Sequence, residues 1–265
     1  MWNALAGLAA ILAMLPAAVV PLRRPDWAGR PVFWALLALA VLGPLAYVAT
    51  HLDWPWRGGL ALNLWVSIAA SAVLYLGLCV FIRVATGLAP LMLGYLAVLG
   101  LVAVGGEAIA GPHPPYTISS LLLVHIVLSV GAYALATIAA VSGAAVVIKQ
   151  RALKRKSSGM LARSLPAVAV SDLFQVWLLA MAGGVLGVDI VAGMATQYVL
   201  TGVLMEIEHK TLLSLLAFAV IVGLVALHAR AGLRGRRAAR GVLIGYLLLT
   251  LGYPGVKFVT DVVLA

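Results

Sequence analysis

The sequence predicts an all-α integral membrane protein, a bundle of eight transmembrane helices with both ends of the chain outside. Three observations carry this. The 265 residues are 64% hydrophobic and only 10% charged, with a mean hydropathy of +1.12, which leaves no polar shell for a water-soluble domain. The apolar residues fall into eight runs, each near the roughly 20 residues that span a hydrocarbon core. Of the eighteen Lys and Arg, fifteen lie in alternate connections, the distribution expected when basic loops stay on the cytoplasmic side. No connection is long enough for a separate soluble domain, so residues 1–265 form one transmembrane domain. The net charge of +10 would suggest nucleic acid in a soluble protein. Here it orients helices, and the partner it implies is membrane lipid.

The first run, residues 1–21, precedes Arg23, Arg24 and Arg30. A cleavable signal carries its charge before the apolar core, so this run is a retained helix with its N-terminus outside. The second, residues 31–50, has Pro44 as a kink point and leads into HLDWPWRGG, whose His51, Trp54 and Trp56 suit an interface. The third, 60–82, stops at Arg83. The fourth, 88–109, carries Glu107 near its outer end and precedes GPHPPYT, a proline-rich turn with His113. The fifth reads LLLVHIVLSVGAYALATIAAVSGAAVVI and ends in KQRALKRKSSGMLAR, the densest basic segment. The sixth covers 172–194 and is followed by an outer loop of about thirteen residues closing with Glu206 and Glu208. The seventh and eighth, from His209 to Asp261, are hinged by AGLRGRRAAR. Three cations fall outside this inner set: Arg57, Lys210 and Lys257.

Cys79 is the only cysteine, which excludes a disulfide, a thiolate zinc site or covalent c-type haem within one chain and fits a small buried hydrophobe. Among the five histidines, His125 shares a helix face with Ser129 and Tyr133 at i+4 and i+8. Polar groups in a membrane helix face the bundle interior or a cavity. The stripe therefore reads either as ligands or as interhelical hydrogen bonds. His228 reads as a ligand or as a residue favoured at a helix C-terminus. His51 and His209 read as ligands or as interfacial residues, and His113 as a solvated loop residue. His209 and His228 are nineteen residues apart, roughly 28 Å along a helix, so they cannot share a metal. In the eighth run Tyr246, Thr250, Tyr253, Lys257 and Asp261 recur at spacings of three and four. Lys257 either pairs with Asp261 or joins Lys210 and Arg57 as a counter-ion to an anionic ligand.

LLVHIVLSVGAYALATIAA with its basic loop, and HKTLLSLLAF through ALHARAGLRGRRAARGVLIGYLLLTLGYPGVKFV, resemble the start and end of the core of the CcsA/CcmC family of cytochrome c assembly proteins. The look is nearest to its YpjD/HemX-type branch, with residues 121–259 as the family-like core. The resemblance implies haem handling at the outer face of a bacterial inner membrane, with non-covalent haem b held by axial histidines. His125 matches the family's outer histidine and His228 its histidine inside the membrane. His51 or His209 is a substitute for a second outer ligand. Lys210 and Lys257 are candidate partners for haem propionates, and Tyr133 lies on the same stripe. The chain departs from the family in MATQYVLTGVLMEIEHKT, which holds no tryptophan where the WWD motif would stand, and in TDVVLA, which supplies no second outer histidine.

The resulting expectation is a non-enzymatic haem-binding protein whose partners are cytochrome c assembly or haem-synthesis proteins. A cofactor-free scaffold or regulator of the HemX type is the alternative. Another is a transport accessory protein with a polar path through Glu107, Asp189 and Lys257. No nucleophile–base pair or metal triad points to an enzyme.

Overall fold

Helix α6 (Ser120–Lys154) is the axis of the molecule. From Val130 to Val146 almost every residue is buried, on all sides of the helix. Its sequence there is dominated by Ala, Gly, Ser and Thr, whose small side chains let neighbouring backbones approach closely. The computed structural model describes residues 2–24, 30–52, 58–109, 118–156, 159–206 and 208–259. His113, Arg57, Trp54, Trp56 and Asp261, singled out above, lie outside the described residues.

Around α6 the chain forms two four-helix groups. The first comprises α1 (Trp2–Arg23), α2 (Pro31–His51), α3 (Leu60–Phe81) and α5 (Ala89–Ile109), with the short α4 (Arg83–Thr86) between the last two. The second comprises α6, α8 (Val168–Thr201), α9 (His209–Ala231) and α10 (Arg236–Thr250), with α7 (Met160–Ser164) in the basic connection. The α6–α8 pair is the most extensive packing in the molecule, and α3 carries most of the contact between α6 and the first group. Eight helices among the described residues are long and apolar enough to cross a membrane, in agreement with the eight predicted runs.

Two helices run past their predicted ends. α6 has 35 residues and α8 has 34, each about 50 Å long and longer than a hydrocarbon core. α6 starts on Ser119, whose hydroxyl accepts the Leu122 N–H and caps an otherwise orphaned donor. α8 continues through the segment expected to be an outer loop and stops at Gly202, whose φ of 73° breaks the helix.

The last span is also less regular than its spacing suggests. After Thr250 the chain widens into a π-helical segment, Leu251–Gly255, before the short α11 (Val256–Phe258). Pro254 has no N–H to give to the α-helical ladder, and the wider turn accommodates that gap. A stripe counted in threes and fours therefore loses register at Pro254.

One end of the bundle collects the basic residues of the turns after α1, α3, α6 and α9, which we call the basic end. Lys149 is used structurally there, donating to the carbonyls of Ala162 and Leu165 and fastening α7. Core side chains, led by Trp65, Tyr75 and Phe33, are fully buried. A surface of exposed Leu and Val, including Leu212, Leu216, Val222 and Leu227 on α9, faces outward. α9 buries only Ala217 and Ile221, as suits a helix at the bundle rim in contact with lipid.

Candidate functional site

At the end opposite the basic turns, α6, α8, α9 and the π-helical segment part around a cavity of about 470 Å³, within the size range of small-molecule sites. Its walls are His125, Ser129 and Tyr133 from α6; Asp189, Gly193, Met194 and Gln197 from α8; Met205, Glu206 and Glu208 from the following connection; Lys210 from α9; and Tyr253.

The chemistry centres on Asp189. Its side chain is 8% exposed. His125 Nδ1 lies 2.8 Å from Asp189 Oδ1 and 3.2 Å from its backbone carbonyl. A carboxylate and a carbonyl only accept, so Nδ1 carries the hydrogen and donates. Ser129 Oγ lies 2.8 Å from both carboxylate oxygens and donates to the same group. The His125–Ser129 spacing of one helical turn lets both side chains converge on one acceptor across the α6–α8 seam. Gly193 makes this possible. A Cβ there would sit 3.0 Å from His125 Cε1, so any larger residue would press on the ring. With Nδ1 engaged, a neutral ring has its lone pair on Nε2, the state in which imidazole binds iron.

Tyr133 forms part of the wall from behind. Its hydroxyl accepts from Tyr246 at 2.9 Å and lies 3.4 Å from Thr250 Oγ1. Tyr246 is bonded in turn to Tyr95 of α5 and Thr137. This hydroxyl chain joins the cavity wall to the first helical group. At the mouth, Lys210 pairs with Glu208 at 3.0 Å, both side chains being largely exposed.

The other candidate residues go elsewhere. His51 stacks on Tyr47 with ring centroids 4.1 Å apart, and its Nδ1 donates to the Tyr47 carbonyl at 2.7 Å. His209 is exposed and is not among the cavity residues, although Glu208 and Lys210 on either side are. His228 lies at the basic end, where its Nδ1 donates to Leu233 O at 2.7 Å. Lys257 donates to Gly58 O at 2.7 Å. Thus His125, Tyr133 and Lys210 meet at one cavity, and His51, His209, His228 and Lys257 do not join them. Nor do Glu107, Asp189 and Lys257 form one path. Glu107 accepts from Asn3 and Tyr47, whereas Asp189 accepts from His125 and Ser129.

A profile of the cytochrome c assembly proteins matches residues 54–264. The chain belongs to that family. Family members are associated with haem handling in cytochrome c maturation, and this member is a multi-pass membrane protein. It is 43% identical, over 99% of its length and 98% of the relative's, to a protein of Azospirillum brasilense described as an uncharacterized 28.8 kDa protein in the nifR3-like 5′ region. No solved structure matches it. The family's match covers the whole cavity and starts well before the core that the sequence resemblance delimits.

Sequence reasoning had Asp189 only as part of a transport path. Yet a lone carboxylate inside an apolar run is itself a signal, because such a group needs a partner. Met194, Gln197 and Tyr95 left no comparable trace, and Tyr133 and Tyr246 stood on separate stripes with nothing to join them.

Proposed function

We propose that this protein binds haem b non-covalently in the cavity beside α6 and presents it at the outer face of a bacterial inner membrane during cytochrome c assembly, without itself being an enzyme. The observation that supports this most directly is the His125–Asp189 pair. A carboxylate that takes the proton-bearing nitrogen fixes ring orientation and raises the basicity of the other nitrogen, the arrangement found behind metal-ligating histidines.

The donor set of the cavity fits this cargo. Among the described residues no group of three or more His, Cys, Asp or Glu side chains is placed to hold a bare metal ion. Porphyrin iron asks for only one or two axial donors. His125 supplies one. Met194 and Met205 line the same cavity, and a thioether serves as the partner of imidazole in other haem proteins. Lys210 suits a propionate. Its exposed pair with Glu208 is worth at most about 1 kcal/mol, so exchanging that carboxylate for one on the cargo costs little. The basic residues would hold the opposite end in the cytoplasm, leaving the cavity on the outer side.

The test is an absorbance spectrum. Protein purified from haem-replete cells, or reconstituted with haemin, should show a Soret band that collapses in His125→Ala. Wild-type protein that stays colourless after haemin addition would defeat the haem reading and favour a cofactor-free scaffold.

A further inference from the structure

At the basic end, the turn between α9 and α10 is held from three sides. His228 donates to Leu233 O. Asp172 of α8, 7% exposed, accepts the Gly235 N–H at 3.0 Å and Gln175 Nε2 at 2.6 Å. Gln150 of α6 packs against the turn so closely that a Cβ on Gly235 would stand 2.9 Å from its Nε2. Gly232 and Gly235 take φ of 62° and 63°, a region that side-chain-bearing residues avoid. Ordinary surface loops are not fixed by a buried carboxylate.

The fixed turn and the start of α10 carry Arg234, Arg236 and Arg237 around an open depression of about 690 Å³, with Gln150 and Lys154 of α6 as its far wall. Among the described residues, none of these four cations forms an ion pair with a carboxylate. Asp172 is engaged inward, on Gly235 and Gln175. Orienting helices in a membrane requires basic residues on one side, and any scatter of them would serve. It does not require them to converge on one concavity, nor the turn bearing them to be fastened.

We propose that this depression is a binding site for a phosphate group, with Arg234, Arg236, Arg237 and Lys154 as its contacts and His228 and Asp172 as positioning residues. Guanidinium presents paired N–H donors that match two phosphate oxygens. Three guanidinium groups and one ammonium converge on the depression, so the recognised part is the phosphate, whatever it is attached to. The phosphate belongs either to an anionic lipid headgroup or to a soluble phosphate compound.

Two probes distinguish these sources with the full chain in phosphatidylcholine nanodiscs. Inorganic pyrophosphate is titrated calorimetrically. In a second preparation containing phosphatidylglycerol, retention of that lipid is read by native mass spectrometry. Saturable binding of either supports the site and names its source. Arg234, Arg236 and Arg237 replaced together by Gln should weaken it roughly tenfold or more, since a hydrogen bond to a charged group is worth about 1.5–3 kcal/mol. Gln at Arg83, Arg151 and Arg155 removes the same charge from the same end and should leave binding within about twofold. His228→Ala should weaken binding and His228→Asn, whose amide N–H stands where Nδ1 was, should restore it. Thermal unfolding checks that each variant folds, and Arg236→Gln alone serves if the triple variant does not. No saturable binding of either probe, or equal losses in the two triple variants, overturns the proposal.

Discussion

His125, His51 and His228 each donate through Nδ1, and the acceptor decides what the ring can do. His51 and His228 give theirs to backbone carbonyls near in sequence, Tyr47 and Leu233, which fastens local chain. His125 gives its own to the buried Asp189, sixty-four residues away, beside a cavity. Loss of a carboxylate behind a metal-ligating histidine costs about 10–100-fold in affinity. Asp189→Asn should therefore weaken haem binding by about that factor in a haemin titration. His228→Ala should leave the titration unchanged, because its ring is at the other end of the molecule. Equal losses in the two variants would mean that the cavity is not where haem sits. The stripe of His125, Ser129 and Tyr133 was legible because one helix carries it. The identity of its partner was not, since it depends on how α6 and α8 are rotated against each other, which no local pattern encodes. For the same reason the sequence resemblance paired His125 with His228, which the fold places at opposite ends of the bundle.

Element lengths matter as much as side chains. The sequence places the end of the sixth span near Met194, but α8 continues through ATQYVLT to Thr201, although Thr, Tyr and Val are weak helix formers. Those extra turns bring Gln197 onto the cavity wall beside Met194. The eighth span errs the other way, since Pro254 and the π-helical segment interrupt a spacing that otherwise reads as one face. Lys257 accordingly reaches Gly58 and not the cavity. Spans were legible because twenty apolar residues suffice to announce one, whereas the extension of a helix beyond the bilayer leaves no hydropathy signal. Gly193 permits the α6–α8 contact at the site. Gly193→Val would drive carbon into the imidazole, a crowding that typically costs about 1–3 kcal/mol. We expect helix content by circular dichroism to hold and haem affinity to fall. Unaltered affinity would show that the ring does not need this seat.

At the scale of the whole molecule, the cavity and the phosphate site occupy opposite ends of one bundle, and which end meets which compartment decides the biology. The sequence predicts an answer through charge: fifteen of eighteen cations lie on one side of the predicted spans, and moving so many across a membrane is disfavoured. Eight crossings return the chain to its starting side without saying which side that is, and Lys210 and Lys257 are the described cations at the cavity end. Cys79, the native cysteine, is buried, so a cysteine placed on the surface reports with little background. Val203→Cys stands in the exposed turn beside the cavity, and Arg155→Cys in the exposed turn at the basic end. A membrane-impermeant maleimide should label Val203→Cys in intact spheroplasts and Arg155→Cys only after lysis. Haem presented to an apocytochrome outside the cell requires that order. The reverse order would open the cavity to the cytoplasm, where the same His125–Asp189 chemistry could receive newly made haem but could not deliver it across the membrane.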